Sequence, residues 1–376
     1  MVEWKKLGEV ANLVRGKVIS KDFIRDNAGI YPVYSSQTAN DGVLGYIDSY
    51  MFDGDFLTWT TDGAYAGTIF RRKGRFNITN VCGLIDIKDQ RLLQDYLYYW
   101  LSLIAKSYVQ EGMGNPKLMS NVASIILIPI PSLSEQQRIV SILDTFTSSI
   151  SNLKQQIEER RKQYEYERDL LLDLEGKEGV EMKKLGEICD TLSGFPFDSS
   201  QFSETGIRLM RGMNVKRGYF DFSKENNKYW LCSEGLEKYL LESNDIIISM
   251  DGSLVGRSFC YLTKEHLPLL LVQRVARIRT KENSKYIYFY ISQKFPDYVD
   301  KKKTAGAIPH ISMKDINSFV IPLPSKTTQS RIVSILDTFE QSISNLEEQL
   351  AMREKQYEYY RNQLLTFEGE EERGKT

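Results

Sequence analysis

The sequence predicts an α+β fold built twice: two domains with curved, mainly antiparallel sheets, separated by an antiparallel two-helix coiled coil, with an internal pseudo-twofold duplication. Three observations carry this expectation. Gln137-Arg138-Ile139-Val140-Ser141-Ile142-Leu143-Asp144-Thr145-Phe146 returns as Ser330-Arg331-Ile332-Val333-Ser334-Ile335-Leu336-Asp337-Thr338-Phe339, 193 residues on. Each copy runs on into an apolar heptad pattern. Short β-branched runs such as Ile246-Ile247-Ile248 and Ile125-Ile126-Leu127-Ile128 lie between Gly- and Asp-containing turns, as strands do.

The first domain is expected over residues 1–133. It opens on Lys5-Lys6-Leu7-Gly8-Glu9. The second domain, expected over 176–326, opens on Lys183-Lys184-Leu185-Gly186-Glu187, 178 residues on. Both domains close on Ile-Pro-x-Pro-Ser, at 128–132 and 321–325. The offset therefore grows by 15 residues within the second copy. Between the matching edges the two interiors share little. A repeat this long is a duplicated domain rather than a solenoid array. A kept frame around different contents suits two modules with one role and two targets.

The first helix is expected over 134–175. Its seam reads Ile139, Leu143, Phe146, Ile150, Leu153, Ile157, then Tyr164, Leu171 and Leu174, with Arg160 and Glu167 as breaks. The second helix and its tail take 327–376. They repeat the pattern through Ile332, Leu336, Phe339, Ile343, Leu346, Leu350, Tyr357, Tyr360, Leu364 and Phe367, broken at Arg353. A 3.5-residue period over about five heptads makes a coiled-coil seam. Ser134 with Gln137 offers a capping-box start. Neither helix can bury its seam alone. The short polar linker after the first helix starts the second domain at that helix's far end, so the second helix returns antiparallel. Ordinary bundle packing and homodimerisation are the alternatives.

Composition bounds the function. At 376 residues and 41% hydrophobic content, the chain can fill two cores. No apolar run approaches the roughly 20 residues that span a bilayer, and the start, Met1-Val2-Glu3-Trp4-Lys5, lacks a signal sequence's apolar stretch. Four Cys without Cys-x-x-Cys spacing read as reduced thiols of a cytoplasmic protein. Two His argue against a His-based metal centre. Net charge is −1 overall but uneven: +1 over residues 1–133, −3 over 134–175, +5 over 176–326 and −4 over 327–376. Basic faces on the domains suit a phosphate backbone, and the acidic helices do not.

Two dissimilar domains, each followed by a near-identical Arg-Ile-Val-x-Ile-Leu-Asp helix, resemble the specificity subunit of type I restriction–modification systems. The Lys-Lys-Leu-Gly-Glu openings, the Ile-Pro-x-Pro-Ser segments and the helix starts at 136–140 and 329–333 carry the resemblance, which covers essentially the whole chain. It implies a non-catalytic subunit without a cofactor of its own, whose two target-recognition domains each read half of a split sequence in double-stranded DNA. It further implies that the helices set the spacer and dock two S-adenosylmethionine-dependent adenine methyltransferase (modification) subunits. ATP-driven restriction subunits, which are translocases and nucleases, join later. No membrane is involved. The bases read cannot be carried over, because the interiors are where family members differ.

Candidate reading residues come from the interiors. Each domain has a Gly-containing polar segment after an Asp-led apolar run. The first is 60–67, with Thr60, Thr61, Asp62 and Tyr65. The second is 249–256, with Asp251 and Ser253. Glycines admit a phosphate close to backbone amides, and a plain folding hairpin is the alternative. Basic candidates are Arg71, Arg72, Lys73 and Arg75 in the first domain. The second has Lys216, Arg217, Arg257, Arg274 and Lys302, with Lys301, Lys303, Arg277 and Arg279 nearby. Arg suits bidentate contact with guanine, and Lys suits phosphate. For any single one of them a solvated surface charge is the more ordinary reading. The 112–117 loop, with Asn115 and Lys117, and the 305–310 loop, with His310, precede the closing strands and either face a groove or are plain connectors.

Other chemistry is missing. There is no Gly-x-x-x-x-Gly-Lys-[Ser/Thr] phosphate loop, no Asn-Pro-Pro-Tyr-like methyltransferase segment and no dinucleotide fingerprint. Pro296-Asp297 with Asp300-Lys301-Lys302 resembles a nuclease pattern only by chance, at what looks like a helix end. A stand-alone DNA-modifying enzyme is therefore disfavoured. A coiled-coil adaptor that binds only protein remains the other alternative.

Overall fold

The repeated openings fold identically in both copies, and local chemistry explains why. The Glu9 carboxylate accepts from the Lys6 N–H (2.8 Å) and Glu187 from the Lys184 N–H (3.1 Å), which caps a one-turn helix. Leu7 and Leu185 are buried, and their N–H groups donate to the Ile126 and Phe319 carbonyls (both 2.8 Å). A Cβ on Gly8 would lie 3.1 Å from the Ser124 Cβ, and one on Gly186 would lie 2.9 Å from the Asn317 Cβ. The motif is thus a turn pressed against the strand that closes its own domain.

The structure, a computed structural model, describes residues 2–111, 114–302 and 309–367. Gly112, Met113, Lys303 and residues 305–308 of the Gly-containing loops lie outside the described residues. The chain divides into two compact units, Met1–Gln155 with Glu348–Thr376, and Gln156–Glu347.

The first unit holds strands β1 (Glu3–Lys6), β2 (Ala11–Arg15), β3 (Ala28–Tyr34), β4 (Val43–Ile47), β5 (Phe52–Thr60), β6 (Ile69–Ile78), β7 (Cys82–Ile87) and β8 (Leu127–Ile130). Its longer helices are α1 (Gln94–Ile104) and the start of α2 (Leu133–Leu172). Strands β1 and β8 pair antiparallel. The other six form one sheet in the order β2-β7-β5-β6-β3-β4, antiparallel except where β3 meets β6. Helix α1 packs on this sheet through Tyr96, Tyr99 and Trp100, all fully buried, beside Trp59 of β5.

The second unit has β9 (Glu181–Lys184), β10 (Cys189–Ser193), β11 (Ile207–Met210), β12 (Tyr229–Trp230), β13 (Ile246–Ser249), β14 (Phe259–Tyr261), β15 (Leu269–Leu271), β16 (Val275–Thr280) and β17 (Val320–Leu323). Its longer helices are α3 (Ser284–Lys302) and the start of α4 (Lys326–Leu364). Strands β9 and β17 repeat the β1–β8 pair. The sheet β10-β16-β13-β14 repeats the order β2-β7-β5-β6, and Tyr286 and Phe289 of α3 fill its core. A second sheet, β12-β11-β15, repeats β4-β3 and the end of β6: β11 runs parallel to β15 as β3 does to β6, and Leu270-Leu271 lie 193 residues after Asn77-Ile78. The frame is thus duplicated, as the shared edges lead one to expect, and the segments between its strands differ.

Both long helices have the expected seam, and they run antiparallel inside each unit. In the first, Phe146 stacks on Tyr360 (5.3 Å) while Lys154, later in α2, meets Glu354, earlier in α4. In the second, Arg161 meets Glu347 while Tyr164 lies 6.3 Å from Phe339. The two breaks in the seam answer one another. Arg160 lies 5.8 Å from the Phe339 ring, and Arg353 lies 5.6 Å from the Phe146 ring, so each guanidinium sits on an aromatic face. Each core is then closed by the end of the other copy's helix. Leu365 is buried with Ile139 and Leu143, and Leu172 with Ile332 and Leu336.

Two local expectations shift. Ser132 and Ser325, not Ser134, cap the long helices; their hydroxyls accept from Glu135 and Thr328 N–H (both 3.3 Å), because the helices begin directly after the Ile-Pro-x-Pro-Ser segment. The strand expected from Ile125 starts at Leu127, because a short helix, Ser120–Ala123, turns through Ile125. The Pro296–Lys302 segment forms the last turns of α3, as expected, and its Asp300 pairs with Arg257.

Leu365→Ala and Leu172→Ala should each lower stability by about 2–5 kcal/mol in denaturant titrations, because each empties a filled core site. The thiols offer a second check. Burial pushes Cys82 and Cys260 up to about 12 and Cys189 up to about 11, whereas Cys232 is exposed. Alkylation of the native protein at pH 8 should therefore modify Cys232 first, since the thiolate is the nucleophile, and mass mapping of the labelled peptide reads this directly.

Candidate nucleic-acid interface

The Gly-containing segments are not free hairpins. Each is stitched to the loop before its closing strand. In the first unit the Gly63 N–H donates to Pro116 O (3.0 Å), Leu118 N–H donates to Thr61 O (2.9 Å), and Asp62 forms a β-bridge with Lys117. In the second, Gly252 N–H donates to Pro309 O (3.1 Å), Ile311 N–H donates to Met250 O (3.0 Å), and Asp251 bridges His310. Two segments about 55 residues apart are thus joined in the same way twice.

The glycines make this turn possible. Gly63 and Gly252 hold φ of +92° and +104°, and Gly67 and Gly256 hold +80° and +81°, a region that favours glycine. A Cβ on Gly67 would also press on Val109 (3.1 Å), and one on Gly256 on Val299 (2.6 Å). These turns therefore sit hard against the helical layer.

An aspartate anchors each cluster. Asp62 lies 3.8 Å from Lys117 Nζ and 3.9 Å from an Arg15 guanidinium nitrogen. Its other neighbour is the Thr61 hydroxyl, which donates to it (2.5 Å). Asp251 lies 3.1 Å from Arg274 and hydrogen-bonds His310. The two aspartates are mostly shielded, while Lys117 and His310 are somewhat under half exposed and Arg274 is largely exposed. Arg274 keeps φ at +65°, costly for a residue with a Cβ. Tyr65 and Ser253 are exposed on the two turns, and Asn115 is exposed on the loop. Thr60 and Thr61 are buried; the Thr60 hydroxyl donates to Tyr65 O and accepts from Thr68 N–H (3.0 Å). In the second unit this surface borders a cleft of 630 Å³ lined by Phe202, Arg211, Lys216, Ser249, Asp251 and Arg274 among others.

The basic residues on β6 separate by strand alternation. Arg72 points inward and is buried. It donates to the Thr58 hydroxyl (3.1 Å) and Asp41 (2.7 Å) and lies 3.6 Å from the Tyr34 ring. Arg71 pairs with Asp95 (2.7 Å) and Asp144 (3.1 Å) and stacks on Tyr98. Arg75 pairs with Asp53 (2.8 Å), and Lys73 is exposed, 4.0 Å from Asp55. Arg257 pairs bidentately with Asp300, whose hydrogen bond raises its pKa further. Lys216 lies 3.7 Å from Asp221, and Arg217 and Lys302 are exposed.

Sequence reasoning overlooked Arg15, which has no counterpart in the second copy to signal it. It also overlooked a latch that holds each helix start to its domain. Gln136 is fully buried; its amide donates to Arg91 O (2.7 Å) and Pro131 O (2.9 Å) and accepts from Leu93 N–H (2.8 Å). Gln329 likewise donates to Pro324 O (2.9 Å) and Glu282 (3.1 Å) and accepts from Asn283 N–H (3.1 Å). Tyr96 and Tyr286 donate to Pro129 O (3.0 Å) and Pro322 O (2.6 Å). Asp144 accepts from the Tyr99 hydroxyl (2.6 Å), and Asp337 pairs with Lys285 (2.6 Å). The near-identity of the two helix starts thus has an internal use. The signal was in the repeat itself, at the 136–329 match.

A duplicated frame carrying two unlike loop surfaces is the arrangement of a two-site recognition protein. The family model for the type I restriction modification DNA specificity domain matches residues 1–160 and 177–352. The chain therefore belongs to that family: it is a type I specificity subunit with two tandem recognition domains, a non-catalytic part of a restriction–modification system. It is 31% identical to the specificity subunit of an Escherichia coli type I restriction enzyme, over 97% of this chain and 94% of that one. It is 29% identical to a putative type I specificity subunit of Mycoplasma pneumoniae, over 96% of each. Its fold is similar to the crystal structure of the type I S subunit from M. genitalium, with a TM-score of 0.65 at 16% identity over 97% of each chain. Against the Thermoanaerobacter tengcongensis subunit the TM-score is 0.52 at 19% identity, over 97% of this chain and 96% of that one. Among the described residues no helix is long and apolar enough to cross a membrane, and no group of three or more His, Cys, Asp or Glu could hold a metal ion.

Gln136→Ala and Gln329→Ala should each cost about 1–3 kcal/mol, since each strands buried backbone groups without partners. Urea titration would register the loss, and equal losses at the two positions would show that the latch is duplicated energetically as well as geometrically.

Proposed function

We propose that the chain reads a bipartite sequence in double-stranded DNA, one half-site with each domain, 1–133 and 176–326. The observation that carries this reading is the loop cluster itself: one scaffold, built twice, presents different side chains. Tyr65, Lys73, Asn115 and Lys117 face the first half-site. Lys216, Arg217, Ser253, Arg274, Lys302 and His310 face the second. Asp62, Asp251, Thr60 and Thr61 hold the turns in shape, and Arg71, Arg72, Arg75 and Arg257 stiffen the surfaces behind them. The paired helices, 134–175 and 327–376, set the spacer. Their two equivalent starts dock two adenine methyltransferase subunits, which the restriction subunits join in the cytoplasm.

Replacing residues 10–125 by the same region of a related subunit should change one half-site and leave the other; methylome sequencing of the host reads both. A change in both half-sites would refute one-domain, one-half reading. Arg274→Ala should cost about 1–3 kcal/mol at one base position if it contacts a base, whereas loss of a phosphate-contacting Lys should weaken all sequences alike.

A further inference from the structure

Among the described residues Lys154–Glu354 and Arg161–Glu347 join α2 to α4, and the two ion pairs relate to each other through the duplication. Lys154 meets Glu354 at 2.9 Å inside the first unit, and Arg161 meets Glu347 at 2.5 Å inside the second. By the 193-residue offset, Lys154 corresponds to Glu347 and Arg161 to Glu354. The two bridges are therefore one pair of positions used twice with reversed polarity. The first copy is basic at both positions, and the second is acidic at both.

The apolar seam differs less: its one change of polarity is Glu167 in the first copy against Tyr360 in the second. Arg160 over Phe339 and Arg353 over Phe146 are also one contact used twice, but with the same residue types in each copy. Two first-copy helices from separate chains, aligned in the same antiparallel register, would keep Arg160 opposite Phe146. They would bring Lys154 opposite Arg161 at both ends. Two second-copy helices would bring Glu347 opposite Glu354. Like charges at such positions repel, and flanking charges commonly choose partners in coiled coils.

We propose that Lys154, Arg161, Glu347 and Glu354 form a charge code that pairs a first-copy helix with a second-copy helix and rejects like copies of a second chain. Duplication made two nearly equivalent seams. The four flanking charges break that equivalence, beside the single exchange of Glu167 for Tyr360. These side chains are about half exposed, so the code weakens as salt rises.

The test uses the full-length chain. The all-acidic variant Lys154→Glu/Arg161→Glu and the all-basic variant Glu347→Lys/Glu354→Arg should each unfold about 2–4 °C lower than the parent at low salt. The quadruple variant, with both polarities exchanged, should recover the parent midpoint, and the differences should fade in high salt. Purely local effects within each helix would instead add, leaving the quadruple variant the least stable; that result overturns the proposal. Partner choice is read by co-refolding differently tagged chains. All-acidic with all-basic chains should co-purify as a one-to-one pair at low salt, while all-acidic chains should not co-purify with themselves. Equal co-purification in both mixtures would also overturn it.

Discussion

Each long helix carries an apolar seam that it cannot bury by itself, and the architecture of both units follows from that constraint. Pairing α2 with α4 covers the seams along their length. It leaves their ends, where Leu172 and Leu365 emerge, and these are buried in the cores of the second and first units. The first unit is therefore not a contiguous stretch of chain, whereas the second is. Each holds a domain, the beginning of its own helix and the end of the other one. Packing at Leu365 and Leu172 is equivalent by the repeat, so one solution to the burial problem has been used twice.

Fixing a helix to a domain needs more than apolar contact, because grease alone tolerates sliding. The buried Gln136 and Gln329 amides, with the Tyr96 and Tyr286 hydroxyls, supply directional bonds to carbonyls of the segment that leads into each helix. Asp144 and Asp337 add polar contacts a few turns later. A domain held by such bonds keeps its orientation relative to its own helix start, and geometry of that kind matters for a subunit that recognises rather than reacts. The same frame leaves the loops free to differ. Asp62 is flanked by Lys117 and Arg15, whereas Asp251 is flanked by His310 and Arg274.

What the sequence revealed and what it hid divide along physical lines. The helices, their antiparallel seam and the duplicated edges were legible, because heptads and repeats are one-dimensional signals. Ile246-Ile247-Ile248 was legible as a strand because a β-branched run between turn residues has few other folds. The joining of residue 63 to 116, and of 252 to 309, was not, since nothing local marks which loop a turn will meet. Nor could composition separate Arg72, buried against Tyr34, from exposed Lys73 one position on; only the sheet's facing decides that. Arg71 and Arg257 read as free cations in sequence because their carboxylate partners lie elsewhere in the chain.

The burial of Leu365 in the first unit has a consequence for how the protein is made. The first domain leaves the ribosome early, with its sheet and α1 complete. The residue that closes its core comes more than two hundred positions later, after the whole second domain. Until then Trp4, Trp100 and the start of α2 lack the covering of Leu365 and Phe367, both of which pack there in the finished chain. The domain synthesised first is thus completed only after the second has been made, and a nascent chain carries an open apolar face throughout the synthesis of the second domain.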